Sequence, residues 1–376
     1  MLLTTAVAAL FTFSTAASGS VLRRSSDYLQ EAISTAKTLQ KLFYHESTGL
    51  WTGVGPKAHL PPVDYWFTSA NCLSTIGLLA SLDNGTSSMI DPIIQNSYVQ
   101  AQAFNLGRGK STTGAWPVTD QYADALIWAM AWVHTYDLIG EKKFLDTVVE
   151  IFQYVAFNGA NATCGGVWSD VKRQQQDALT NDLFLAVSTH LATRVKNGDY
   201  YLDWAVRHWK WYESSGLLQP SGLVVDYLDT KTCVASGPSY SHIQGILVGG
   251  LLELNKAVPS PTYIDLSVKI VNASMKALSD SNGILTEYGS HGSPNIGTVG
   301  PIYKGLYIRH VVLLASKLNY PAYIAYVRKQ ADSIWASDRS RKDGTIGNVW
   351  DHYYEQLESP GHCSGLDALV AAATVS

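Results

Sequence analysis

Charge is what this chain has least of. Asp, Glu, Lys and Arg make up 15% of 376 residues, with a net charge of −4. No Lys/Arg run or stripe can neutralise successive phosphates, which argues against nucleic acid as a partner. Cysteine and methionine are scarce, four of each. None of the cysteines lies in a C-x-x-C spacing, so neither a structural zinc nor a dithiol redox centre is expected, and no metal or cofactor is called for. Alternating strand patterns are rare. Beyond the first residues, no apolar run is long enough to cross a bilayer. The C-terminal LDALVAAATVS lacks the spacer and longer tail of a lipid-anchor signal.

What is present is apolar and helical. Hydrophobic residues reach 46%, enough for a large core and too many for disorder. They recur three and four residues apart, as in Phe144, Leu145, Val148, Val149, Phe152 and Val155. This periodicity predicts twelve helices: 27–44, 64–83, 88–105, 120–139, 141–157, 176–196, 199–214, 241–257, 261–280, 302–318, 321–337 and 363–374. The spacers carry Gly, Pro, Asn and Asp, as in GPKAHLPP, GRGKSTTGAWP, NGANATCGG and GSHGSPNIGTVGP. The fold class is therefore all-α. Helical hairpins that cannot bury their apolar faces alone close into a toroid of six. In such a ring the longer loops gather at one end of the inner helices, where side chains from several hairpins converge.

The opening MLLTTAVAALFTFSTAASGS reads as a secretory signal, residues 1–18, cut near Ala17 and followed by one domain over 19–376. Four cysteines and the sequons at Asn84, Asn161 and Asn272 fit an oxidising, glycosylating route. The mature protein is expected to be secreted, unanchored and monomeric. Abundant aromatics, 11 Trp, 21 Tyr and 9 Phe, suit the apolar faces of sugar rings.

The chain resembles glycoside hydrolase family 76, the secreted α-1,6-mannanases and their fungal cell-wall relatives. The resemblance rests on WFTSAN (66–71), ADALIWAMAW from Ala123, GGVW (165–168), LTNDLFLAV (179–187), GLVVDYLDTKTC (222–233), SHIQGILVGGL (241–251), GILTE (283–287) and YKGLYIRHV (303–311), in family order. It implies an (α/α)6 barrel and a carbohydrate substrate, without a metal. It also implies two adjacent aspartates, nucleophile then acid/base, where this chain has Ala123-Asp124. Retention needs two carboxyl groups about 5 Å apart. Here the nucleophile position is a methyl group, and Asp124 keeps the acid/base position. Other departures are Ile127 and Phe67 in place of tryptophans, and His242-Ile243 in place of a Tyr-Asn pair.

Asp124 reads as the catalytic acid, or as a carboxylate stabilised by the free N–H groups of a helix start. Asp120 stands four residues earlier, either as a helix N-cap or, on the same face as Asp124, as a substitute base or nucleophile. Asp226 reads as a substrate contact or a turn former. His242 reads as a proton shuttle near neutral pH or as a structural histidine. Trp66, Tyr122 and Trp128 are candidates to stack on a sugar ring, with Trp128 reading as core. Asn71, Asn181 and Gln244 need partners, either between helices or on a substrate. Lys304 and Arg309 read as structural. Among three possible disulfide pairings, Cys164–Cys233 with Cys72–Cys363 is the one expected beside the resemblance.

Three functions follow. The first is a glycosidase on α-1,6-mannan or wall glycans. The second is a repurposed barrel in which Asp124, as general acid, isomerises or cyclises a small secondary-metabolite-type molecule. The third is a non-catalytic mannan binder.

Overall fold

The computed structural model describes residues 16–54, 62–104, 116–117, 119–287, 299–354 and 358–376, with the side chains of 16–26 and 62 outside that description. Among the described residues twelve α-helices follow one another: α1 (Ala16–Phe43), α2 (Pro62–Leu82), α3 (Asn84–Ala103), α4 (Tyr122–Ile139), α5 (Lys142–Gly159), α6 (Ala178–Arg194), α7 (Gly198–Ser215), α8 (Ser241–Ala257), α9 (Pro261–Leu278), α10 (Tyr303–Leu318), α11 (Pro321–Ser333) and α12 (Ser359–Thr374). Every helix expected from periodicity is present. The largest difference is at α1, which begins at Ala16 rather than 27; α3 and α12 begin at Asn84 and Ser359 rather than 88 and 363, and α11 ends at Ser333 rather than 337. Residues 1–15 of the expected leader lie outside the described residues.

The even-numbered helices pack one on the next, and α12 returns to α2, so they form a closed inner ring. Outside it, α3, α5, α7, α9 and α11 each pack back on the inner helix before them, and α1 packs on α12. This layering follows from composition around each helix. All residues of α8 from Ser241 to Leu254 are buried, because both of its sides face other helices. The outer α5 buries Phe144, Leu145, Val148, Ile151, Phe152 and Val155 while its Lys142 and Asp146 stay in water. Close approach of inner helices needs glycine at two points. A Cβ on Gly245 would lie 2.6 Å from the Tyr307 backbone, and one on Gly305 would lie 2.8 Å from that of Ser364.

A corner motif, Gly-x-apolar, recurs after the outer helices. Tyr44 pairs with Trp51 in a short antiparallel ladder of β1 (Tyr44–His45) and β2 (Leu50–Trp51). Single bridges join Ala160 to Val167, Leu218 to Val224, Ser279 to Leu285 and Arg339 to Ile346. The turn before each returning residue has a glycine at positive φ, for example 93° at Gly222. Each returning N–H is then caught by a side chain. Trp51 donates to Ser69 Oγ at 2.9 Å, Val167 to Asn181 Oδ1 at 3.0 Å, Val224 to Gln244 Oε1 at 2.8 Å, Leu285 to Gln330 Oε1 at 2.8 Å and Ile346 to His362 Nδ1 at 3.0 Å. These bonds satisfy backbone groups that the turn would otherwise strand in the interior.

The ring's seam lies between α10, α12 and α2. Arg309 donates to Asp367 through Nε at 3.0 Å and through Nη2 at 2.7 and 2.9 Å, and Nη2 also reaches Asn71 Oδ1 and Thr75 Oγ1. Beside it Cys72 is bonded to Cys363, with a Cα separation of 5.3 Å. Cys164–Cys233 ties the corner after α5 to the hairpin of β3 (Tyr227–Leu228) and β4 (Ala235–Ser236). Both bridges are the ones expected.

Candidate active site

The inner helices begin at the same end of the barrel, and their starts carry the carboxylates. Asp64 sits in the first turn of α2 and Asp124 in the first turn of α4. Asp177 caps α6, its Oδ1 accepting the Thr180 N–H at 2.7 Å. Glu287 accepts the Ser241 N–H at 2.9 Å and the Ser241 hydroxyl, which holds the start of α8. Asp226 lies beside α6, its carbonyl accepting the Ala178 N–H at 2.7 Å. Asp177 and Asp226 border a recess of about 370 Å³ together with Gln174, Gln176 and Thr230.

Crowding like charges at a partly dry mouth makes ionisation costly. Burial pushes the Asp124 carboxyl up to about 7, and the charges of Asp64, Asp120 and Asp177 push the same way. Burial and Asp177 raise Asp226 to about 6. Asp124 is therefore a proton donor near neutral pH. The neighbouring Ala123 is 5% exposed and contributes only a methyl group.

Asp120 is not where helix periodicity put it. The Ser169 carbonyl takes the Tyr122 N–H at 2.8 Å and the Asp120 carbonyl accepts that of Val171 at 3.0 Å, while Gln121 bridges Asp170. This pairing keeps the chain extended, so the N-cap is Gln121, with no side-chain cap bond, and the helix starts at Tyr122. Asp120 is thus neither the cap nor on a helix face with Asp124. Its charge still acts on Asp124 through space.

Several expected contacts turn inward. Trp66 is fully buried and donates from Nε1 to the Ala101 carbonyl at 3.0 Å, with Trp116 and Trp128 packed around it. Trp128 stacks on Trp132, as its core reading had it. Tyr122 is 1% exposed and packs on Tyr154 and Gly159. None of these rings presents a face to a sugar here. Asn71 belongs to the Arg309–Asp367 seam. Asn181 and Gln244 are corner clamps, each both accepting from and donating to one backbone residue, Val167 and Val224. Their amides are spent on the fold.

His242 stacks on Tyr303 with ring centroids 3.7 Å apart, beside Tyr240. Burial holds its imidazole down at about 3, so it stays neutral at physiological pH and is no proton shuttle there. Asp64, Asp177, Glu287 and Tyr303 belong to the mouth and escaped the sequence reading. For Asp177 the available signal was D-x-x-T ahead of an apolar run, which marks a cap but not a site. Among the described residues, no group of three or more His, Cys, Asp or Glu is arranged to hold a metal.

A closed six-hairpin barrel with a carboxylate-lined mouth at the starts of its inner helices is the architecture of an (α/α)6 glycosidase. Residues 28–372 match the model of glycosyl hydrolase family 76, and the chain belongs to that family. Among solved structures, the α-1,6-mannanase GH76A of Salegentibacter sp. HEL1_6 is similar over 93% of this chain and 100% of its own, with a TM-score of 0.79 and 16% identity. An inactive variant of that enzyme, with two neighbouring aspartates replaced by alanine, was solved with α-1,6-mannotetrose. Dfg5 from Chaetomium thermophilum, solved with glucosamine, covers 93% of this chain and 90% of its own, with a TM-score of 0.76 and 13% identity. A comparison with curated proteins finds no match.

Proposed function

We propose that this chain is a secreted, single-domain glycoside hydrolase acting on α-1,6-linked mannan or related wall glycans by single displacement, with Asp124 as general acid. The observation that carries this reading is the Asp124 carboxyl, raised to about 7 within a mouth lined by other carboxylates. Two disulfides support a secreted protein, and the mannotetrose complex of the Salegentibacter relative supports the substrate class. The leader is assigned to residues 1–18 and the domain to 19–376.

Asp124 gives its proton to the glycosidic oxygen as the bond to the anomeric carbon breaks. With Ala123 in the nucleophile position, no covalent glycosyl intermediate forms there. A water in the space left by the missing carboxylate attacks the opposite face, and Asp120 accepts its proton. Such a water-mediated route separates acid and base by roughly 6.5–9.5 Å and inverts configuration.

Proton NMR of the first product from a linear α-1,6-mannan tests this, the β anomer being the expected outcome. Asp124→Asn should lower turnover by about 10²–10⁴-fold. Ala123→Asp should gain retaining hydrolysis of the same polymer. Absence of turnover at high enzyme concentration refutes the hydrolase reading. Saccharide affinity in that case, by calorimetry, identifies a mannan binder. A second reading, in which Asp124 protonates a small non-sugar molecule, is favoured by the neutral His242–Tyr303 stack and the apolar Ala123 and Ile127 beside the acid. Loss of both turnover and saccharide affinity, with no gain from Ala123→Asp, selects it.

A further inference from the structure

The opposite end of the barrel, where α2, α4, α10 and α12 finish, contains a recess of about 130 Å³. Its walls are mainly Leu78, Val312, Val370 and Ala371, and at its rim Leu82 and Leu313 are 37% and 47% exposed. Two histidines border it, His134 and His310. The His310 Nδ1 is committed to the Leu306 carbonyl at 2.7 Å. The His134 Nδ1 is buried and has no hydrogen-bond partner.

We infer that this recess is a second binding site, taking an uncharged, single-ring-sized molecule that carries one hydroxyl. The volume sets the size, since an apolar cavity of about 150 Å³ accommodates benzene. The charge state follows from the walls. Arg309 and Asp367 border the recess, but the guanidinium is met by Asp367, Asn71 and Thr75, and the carboxylate by Arg309 and Thr75. Neither ion is left to attract a counter-charge. Both histidines are kept neutral by burial, and the remaining lining is aliphatic apart from Ser81 and Thr374, whose hydroxyls are uncharged and donate to the carbonyls of Leu78 and Val370. The hydroxyl follows from His134. The neutral His134 ring lines the recess, and a hydroxyl donates or accepts and so suits either tautomer. The site is separate from the carboxylate mouth, whose residues belong to the starts of the inner helices.

Phenol and benzene are the probes. Titration of the intact protein with phenol should saturate at one site and shift the ring-nitrogen NMR signals of His134, while those of His242 at the mouth stay in place. Phenol should bind roughly five- to tenfold tighter than benzene, the worth of one hydrogen bond. His134→Leu should equalise the two affinities, and Leu313→Trp, placed at the rim, should abolish both. The inference is overturned by non-saturable phenol binding, by saturation that leaves the His134 signals unmoved, or by a His134→Leu protein that keeps the preference for phenol. Should His134→Leu not fold, a phenol-induced His134 shift that survives Leu313→Trp overturns it equally.

Discussion

Asp124 gives up its proton reluctantly, and this has a signature in stability. A carboxyl whose pKa rises on folding binds more protons folded than unfolded, so stability falls with pH between the two values. The contribution of Asp124 is complete below about pH 4, the unfolded value, and is lost as pH climbs through about 7. Asp226 acts in the same direction through about 6. Asp124→Asn cannot ionise and removes the Asp124 share. Melting temperatures of the two proteins should lie close together at pH 4–5, with the variant melting higher at pH 8. A gap that narrows as pH rises would contradict the placement of Asp124 among Asp64, Asp120 and Asp177. The residue itself was legible from its position in ADALIWAMAW. Its electrical surroundings were not, because Asp177 and Asp64 come from other helices and reach it only once the ring has closed.

At the scale of elements, the corners fix where each inner helix starts. Gln244→Ala leaves the N–H and carbonyl of Val224 buried without their partner, at a cost of about 1–3 kcal/mol. Urea unfolding should show a lower midpoint with an unchanged slope, and an unmoved midpoint would mean that the clamp carries no stability. Apolar spacing revealed all twelve helices because each must cover a core with one or more faces. The corners were harder to read. Gly-x-apolar is too short to signal anything alone, and its meaning rests on a side chain such as Asn181 or Gln244 arriving from a distant helix. Asn181 and Gln244 therefore looked like candidates for a ligand, when their demand for partners was already met by the chain. The start of α4 was misplaced for a related reason. Pairing with residues 169–171 overrides the local tendency to begin the helix at Asp120.

Across the whole molecule, closure depends on one seam. Arg309→Met would leave Asp367 buried and uncompensated, a loss of about 3–5 kcal/mol. Replacing Cys72 and Cys363 together by serine should cost about 2–5 kcal/mol. Asn71 adjoins Cys72, and Asp367 lies one turn from Cys363, so the two losses should not add in the combined variant. Calorimetry of the three proteins measures this coupling, and strict additivity would mean that the bridge and the ion pair act independently. The seam also sets an order of events during synthesis. The flank of α2 and the inner face of α1 both await α12, the last helix of the ring to leave the ribosome. Until then the nascent protein is an open crescent with two uncovered edges. Two such crescents can close one another by trading their final helices, so a reciprocally swapped dimer is the misassembly to which this architecture is most exposed.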